Sequence, residues 1–278
     1  MERRKPNPAA PGLPAATTPT RPLGDRAHPL VRRMRDARDG RDPRSLFVEG
    51  ARLVAELLES PLRPREAVIL TARYRDPRFF PLIDALKAKG APLHFVSETV
   101  MTYISDLDAA PGLAVRADRP PPAAVPPNGS LFVLLDGLQS PANAGAVLRV
   151  AEAAGADAVG ALPGTVDLLS PKALRASAGS AFRVPLFRLE KPGDLPRSDL
   201  TFLVADARGD VDYTDFDWTR PTALLLGGEG AGPRSAPLAD LNVRKVRVPM
   251  AGRTESLNVA VAAGILLMEA RRQRTRAS

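Results

Sequence analysis

The chain has 278 residues, enough for two units with separate cores, and 39 Lys+Arg against 31 Asp+Glu give it a formal charge of +8. That excess favours a polyanionic partner such as RNA. The lack of cysteine excludes disulfides, thiolate nucleophiles and cysteine-based zinc sites, and two histidines are too few for a histidine-centred catalytic or metal site, so no metal is expected. No run reaches the roughly 18 apolar residues of a membrane span, and the proline-broken first residues lack the apolar stretch of a signal peptide. These features predict a cytoplasmic protein without a membrane partner.

In chain order, residues 1–27 are rich in Pro, Ala, Thr and Arg and read as a disordered basic tail. A small α/β unit is expected over 28–117. It opens with a basic helix, Pro29 to Arg38, whose Leu30, Met34 and Ala37 share one side. A strand and turn follow at Ser45 to Gly50, then a helix carrying Leu53, Val54, Leu57 and Leu58. Short strands at 67–70, 93–96 and 113–116 alternate with helices at 78–89 and 99–105. Residues 118–129 hold five prolines and read as an extended, semi-rigid linker.

The unit over 130–278 starts with a continuous apolar run, Leu131 to Leu135, of the kind found in a parallel strand buried on both faces. Ser140-Pro141 marks a helix start, and Ala144, Val147, Leu148 and Ala151 repeat on its inner face up to Gly155. Gly145 and Arg149 are four apart, so the arginine is expected to stand over a bare glycine surface. Further strands are expected at 158–162, 184–189 and 200–205, with a capped helix opening at Ser170. The five aspartates between 206 and 217 lack the spacing of a calcium loop and read as a solvated acidic loop.

Two strand-like runs close the chain, Thr222 to Leu226 and Val243 to Val248, each ending in a loop. The first loop, Gly227-Gly-Glu-Gly-Ala-Gly, fits neither a dinucleotide fingerprint nor a P-loop, and Glu229 would repel a phosphate. A carboxylate there suits a cationic or hydroxyl-rich ligand. The second loop leads through Ser256, Leu257 and Asn258 into a last helix. Leu257, Ala260, Val261, Gly264, Ile265 and Met268 make one apolar side, and the other side is apolar too, so both faces are expected to be covered.

The glycine loop and the segment VPMAGRTESLNVAVA resemble two motifs of the SpoU/TrmH family of RNA ribose methyltransferases in the SPOUT superfamily. The family's Asn-x-Gly-x-x-x-Arg motif is matched upstream by Asn143, Gly145 and Arg149, and Ser170-Pro-Lys-x-x-Arg-x-Ser resembles a further family segment. SLFVEGARLVAELL resembles the substrate-binding domain of many family members, related to kink-turn-binding ribosomal proteins. The resemblance implies a C-terminal parallel sheet with a deep trefoil knot, which no pattern argument would propose. It also implies a homodimer, whose second copy would cover the last helix.

The activity so implied is methyl transfer from S-adenosyl-L-methionine to a ribose 2′-hydroxyl of RNA, most simply rRNA and otherwise tRNA. Carried over residue by residue, the cofactor would lie against Asp206, Gly227, Gly228, Gly230, Val248, Met250 and Leu257. Arg149 would be the catalytic arginine, Asn143 would orient the ribose or its phosphate, Glu229 would pair with Arg149, and Ser256 and Asn258 would position the site. A general-base role for Arg149 and a charge-stabilising one are both open, and because arginines stay protonated near neutrality the second fits better. Candidate RNA contacts are Arg32, Arg33, Arg35, Arg38, Arg41 and Arg44 in the first unit and Lys172 and Arg175 in the second. The alternatives are a catalytically inactive RNA-binding protein of the same fold and a base-methylating member of the superfamily.

Overall fold

The computed structural model describes residues 22–228, 238 and 241–277. In the first unit, α1 (Pro29–Arg38) is followed by β1 (Ser45–Glu49), α2 (Ala51–Glu59), β2 (Pro64–Leu70), α3 (Phe80–Ala88), β3 (Leu93–Val96), α4 (Glu98–Ile104) and β4 (Leu113–Asp118). The four strands form one sheet in the order β1-β4-β2-β3, with β4 antiparallel to both neighbours and β2 parallel to β3. Met34 of α1 and Met101 and Ile104 of α4 pack with Phe47 and Val68 in one apolar cluster. Leu53 and Leu57 of α2 and Ile83 and Leu86 of α3 belong to another.

Regular pairing is found ahead of the boundary expected at residue 28. Leu23 N–H donates to Phe95 O at 2.9 Å and Leu23 O accepts from Ser97 N–H at 3.0 Å, so Leu23 pairs in parallel with Val96. Closing the free edge of β3 outweighs the local bias of a proline-rich sequence. The rest of the expected tail, residues 1–21, lies outside the described residues.

The proline-rich segment is held along its length. Asp118 ends β4, Arg119 N–H donates to Arg44 O at 2.9 Å, and Ala123 N–H donates to Leu186 O at 2.6 Å. Val125 packs against the apolar cluster of the second sheet.

The second unit contains β5 (Leu131–Asp136), α5 (Pro141–Ala154), β6 (Ala158–Ala161), α6 (Pro171–Ser177), β7 (Leu186–Arg188) and β8 (Thr201–Ala205). After these come β9 (Val211–Asp212), β10 (Thr222–Gly227), β11 (Val243–Arg247) and α7 (Val259–Ala277). Its seven strands are ordered β7-β6-β5-β10-β8-β11-β9 and every neighbouring pair is parallel, the α/β architecture expected from the buried apolar runs. Because β10 lies between β5 and β8, the segments after β5, β8, β10 and β11 emerge at one end of the sheet, where α/β proteins place their ligands.

Several expectations change. Gly145 is buried, and a Cβ there would lie 2.3 Å from Ala173 O, so α6 occupies the surface expected to be bare. The Ser170 hydroxyl is buried but makes no hydrogen bond among the described residues, and α6 opens without a side-chain cap. The acidic loop contains β9, paired with β11, and Arg247 Nε donates to Asp212. No group of acidic or histidine side chains among the described residues could hold a metal ion.

Helix α7 buries Ala263, Leu266, Leu267 and Ala270, the side expected to be secondary. Val261 and Met268 stay 51 % and 48 % exposed within this single chain. Its far end is tied to the loop after β9. Trp218 is fully buried, its Nε1 donates to Tyr213 O at 2.8 Å, and its backbone N–H donates to Gln273 Oε1 at 2.9 Å. Among the described residues, no helix is long and apolar enough to cross a membrane.

Candidate active site

A cleft of about 510 Å³ opens where the segments after β8, β10 and β11 meet the start of α7. It is lined by Asp206, Gly227, Gly228, Val248, Met250 and Leu257, which are all the described residues expected to touch a cofactor. Gly230 and Glu229 lie outside the described residues. Leu226, Val246 and Leu266 supply further apolar wall. A Cβ at Gly228 would sit 2.9 Å from Gly137 O, so the absence of a side chain lets the loop after β10 lie against the end of β5.

Polar groups occupy the rim. Asp206 accepts from the backbone N–H of Arg208 at 2.9 Å and pairs with Lys245 Nζ at 3.2 Å. The Arg208 hydrogen bond, reinforced by Lys245 and opposed by burial, holds the Asp206 carboxyl below the usual aspartate value. It therefore presents a carboxylate to the cleft at neutral pH. Glu255 and Ser256 line the same space from the loop before α7.

Next to Ser256 and Leu257, the N-termini of α5 and α7 are joined. Asn258 Nδ2 donates to Asn143 Oδ1 at 3.2 Å, while Asn258 Oδ1 accepts from Ala260 N–H at 2.9 Å and so caps α7. Asn143 N–H donates to Ser140 Oγ at 3.3 Å in the corresponding cap of α5. Two helix N-termini with their positive dipole ends thus converge beside the cleft. Arg149 lies farther along α5 with an exposed side chain and no ion pair among the described residues.

The expected RNA contacts divide sharply. Arg32 and Arg44 keep 85 % and 93 % of their side-chain surface in solvent, with only long contacts to Asp36 at 3.8 Å and Asp42 at 3.9 Å, and Lys172 is exposed. The others are engaged within the chain. Arg33 bonds Glu66 at 3.0 and 2.7 Å, Arg35 stacks on the Tyr103 ring at 4.2 Å, and Arg41 pairs with Asp36 at 3.0 Å. Arg38 donates to the carbonyls of Tyr103, Ile104 and Ser105 at 3.0–3.1 Å, closing the C-terminus of α4. Arg175 bonds Glu49 at 2.9 Å and Asp106 at 2.6 Å, both in the first unit. Lys245 and Glu255 of the cleft carry no signal in the sequence. In the run Val-Arg-Lys-Val-Arg of β11, adjacent basic residues leave no clean alternation to assign a face.

Family models match both parts of the chain: the SpoU rRNA Methylase family over residues 130–268, and RNA 2'-O ribose methyltransferase substrate binding over residues 47–123. The 23S rRNA (guanosine-2'-O-)-methyltransferase RlmB of Salmonella typhi is 34% identical over 245 residues, covering 83% of this chain and all of that protein. The SpoU methyltransferase AviRb from Streptomyces viridochromogenes, solved in complex with AdoMet, superposes with a TM-score of 0.78 at 26% identity, covering 89% of this chain and 98% of that one. An AdoMet-bound rRNA methyltransferase from Sinorhizobium meliloti gives 0.75 at 28% identity, covering 91% and 97%.

Proposed function

The chain belongs to the SpoU rRNA methylase family, and we propose that it transfers a methyl group from S-adenosyl-L-methionine to a ribose 2′-hydroxyl of ribosomal RNA. The observation that carries this is the joining of Asn143 and Asn258 beside a cleft built from the ends of three parallel strands. The cleft suits the cofactor. Its volume lies in the range of small-molecule sites, Leu226, Val246, Val248 and Leu257 offer an apolar slot for adenine, and Gly227 and Gly228 leave backbone groups accessible. Asp206 and Glu255 are suited to its hydroxyls and its amino group.

When bound, S-adenosylmethionine supplies an electrophilic methyl group and a neutral thioether as leaving group, so no acid is required there. The demand falls on the nucleophile, a weakly acidic hydroxyl that loses its proton during attack. Arg149 holds the adjoining phosphate and stabilises the developing alkoxide as a fixed cation. Asn143, held by Asn258, orients the ribose between the two helix N-termini, which favour the anionic backbone. Ser256 fixes the approach between cofactor and ribose.

The trefoil knot, the homodimer and a cytoplasmic location belong to the same reading. The exposed Val261 and Met268 on α7 support a second copy of the chain as the cover of that face. Calorimetric titration of S-adenosylmethionine should give a binding isotherm, and mapping ribose methylation in rRNA and tRNA from a deletion strain should reveal one lost position. Absence of cofactor affinity even with RNA present would overturn the enzyme reading.

A further inference from the structure

The boundary between the two units is closed by charged and apolar contacts that the catalytic site does not use. Arg183, in the turn after α6, is hydrogen-bonded through its guanidinium to Glu56 on α2 and to both carboxylate oxygens of Glu152 on α5, one of them at 3.1 Å. Those bonds, Glu152 foremost, raise the guanidinium pKa and lower that of Glu152. Arg175 on α6 reaches the other way, to Glu49 and Asp106. The Glu49 side chain is 1% exposed. Arg119 forks onto Asp167 from the linker, one contact being 2.9 Å.

The backbone is fitted to this seam. Ala178 and Gly179 adopt consecutive left-handed conformations, φ 51° and 96°, which turn the chain sharply after α6. A Cβ on Gly179 would meet the Glu56 side chain at 2.7 Å. The non-glycine left-handed residue is a strained conformation that persists only where its surroundings hold it. Beneath the ion pairs the core is continuous, since the buried cluster that contains Val54 and Leu57 of the first unit also contains Leu168, Leu174 and Ala181 of the second. Behind α6 lies α5, packed so closely that Gly145 has no room for a Cβ. A chain of direct contacts therefore runs from α2 and β1 through α6 to the helix bearing Asn143 and Arg149.

We propose that Arg175 and Arg183 are positioning residues: they clamp the first unit to α5, so that RNA gripped by the first unit presents one particular ribose to the catalytic helix. The pair sets which nucleotide is modified and how fast. The inference rests on the methyl-transfer reading, because it concerns where that reaction occurs. Its physical basis is that fixed relative orientation of bound substrate and catalytic groups removes rotational freedom from the reacting step, and a small misplacement slows it greatly. Two units joined only by a flexible linker would lack that constraint, whereas here the linker is itself pinned by Arg119.

The test uses the full chain. It contains no cysteine, so Lys87→Cys on α3 and Glu190→Cys after β7, both at exposed positions, give two unique sites for spin labels. The distance distribution between the labels should be narrow in an otherwise unchanged chain and should broaden in Arg183→Ala and in Arg175→Ala/Arg183→Ala. Without labels, these variants should keep S-adenosylmethionine affinity within about twofold and RNA affinity within about threefold. Single-turnover methylation should slow about tenfold or more, with methyl groups spread over neighbouring riboses. Arg183→Lys, which keeps the cation but not the fork, should recover part of the rate.

Broadened distances with an unchanged rate and an unchanged methylation site would overturn the positioning role. A narrow distribution in Arg175→Ala/Arg183→Ala would overturn the clamp itself. Should Arg175→Ala leave too little folded protein, Glu56→Ala breaks the same seam from the other side at a half-buried surface position. An unmodified chain that binds RNA but methylates none would instead count against the methyl-transfer reading.

Discussion

Helix α1 of the first unit and helix α5 of the second both carry arginines expected to meet RNA, yet they use them differently. On the first, Arg33 and Arg116 enclose Glu66, Arg38 closes the end of α4, and Arg35 lies on Tyr103. These cations hold α1 to its sheet and to α4. Along α5, Arg149 is exposed without an ion pair among the described residues. A basic sequence is thus not the same as a basic surface. What remains for a phosphate depends on which carboxylates and carbonyls have folded against each guanidinium.

The sharpest way to break this comparison is to remove its open member. Arg149→Ala should slow single-turnover methyl transfer by roughly 10²–10³ while leaving cofactor binding unchanged. Arg149→Lys should retain part of the rate, and the pH–rate profile should stay shallow near neutrality. A clear inflection in the unaltered protein that disappears in Arg149→Lys would make the arginine a base. Leu257→Arg should act on the other half of the site, abolishing calorimetric cofactor binding by filling the apolar slot.

The closed member is tested through stability. Glu66→Gln leaves Arg33 and Arg116 facing a neutral group and should lower unfolding free energy by about 3 kcal/mol, read by chemical denaturation. Burial alone would raise the Glu66 carboxyl, but hydrogen bonds from Arg33 and Arg116 and their charges bring it below the ordinary glutamate value. A carboxyl lowered by folding contributes stability that is present above its unfolded pKa and lost as pH falls through the folded one. Melting temperatures of the unaltered protein should therefore drop on acidification below about pH 4.5, and Glu66→Gln should flatten that drop.

The smallest effects distinguish arginines within the first unit. Arg32→Ala and Arg44→Ala should each weaken RNA binding modestly and reduce the salt slope by about 1, as expected for loss of a phosphate contact. Arg38→Ala should leave that slope unchanged and instead lower the melting temperature. An equal change of slope in all three would erase the distinction between engaged and open cations.

Much of this was legible in the chain. Continuous apolar runs identified β5 and β10, and Gly227 and Gly228 line one cleft with Val248, Met250 and Leu257. Local pattern carries such features because each lies within a few consecutive residues. The rest depends on partners distant in sequence. Arg33 and Arg116 stand 33 and 50 positions from Glu66, so their pairing leaves no local signal. Gly145 looks like open helix surface until α6 is placed on it, and β9 is two residues long and recognisable only through β11.

Trp218, the only tryptophan in the sequence, is fully buried and bonded to Gln273 of α7, while the first unit has none. The molecule consequently carries an optical reporter confined to one half. Intrinsic emission excited at the indole band follows the docking of the last helix and is blind to melting of the first sheet, whereas far-ultraviolet dichroism registers both. Recording the two signals during one denaturation separates the halves without a label, and coincident transitions would mean that the continuous core makes them a single cooperative body.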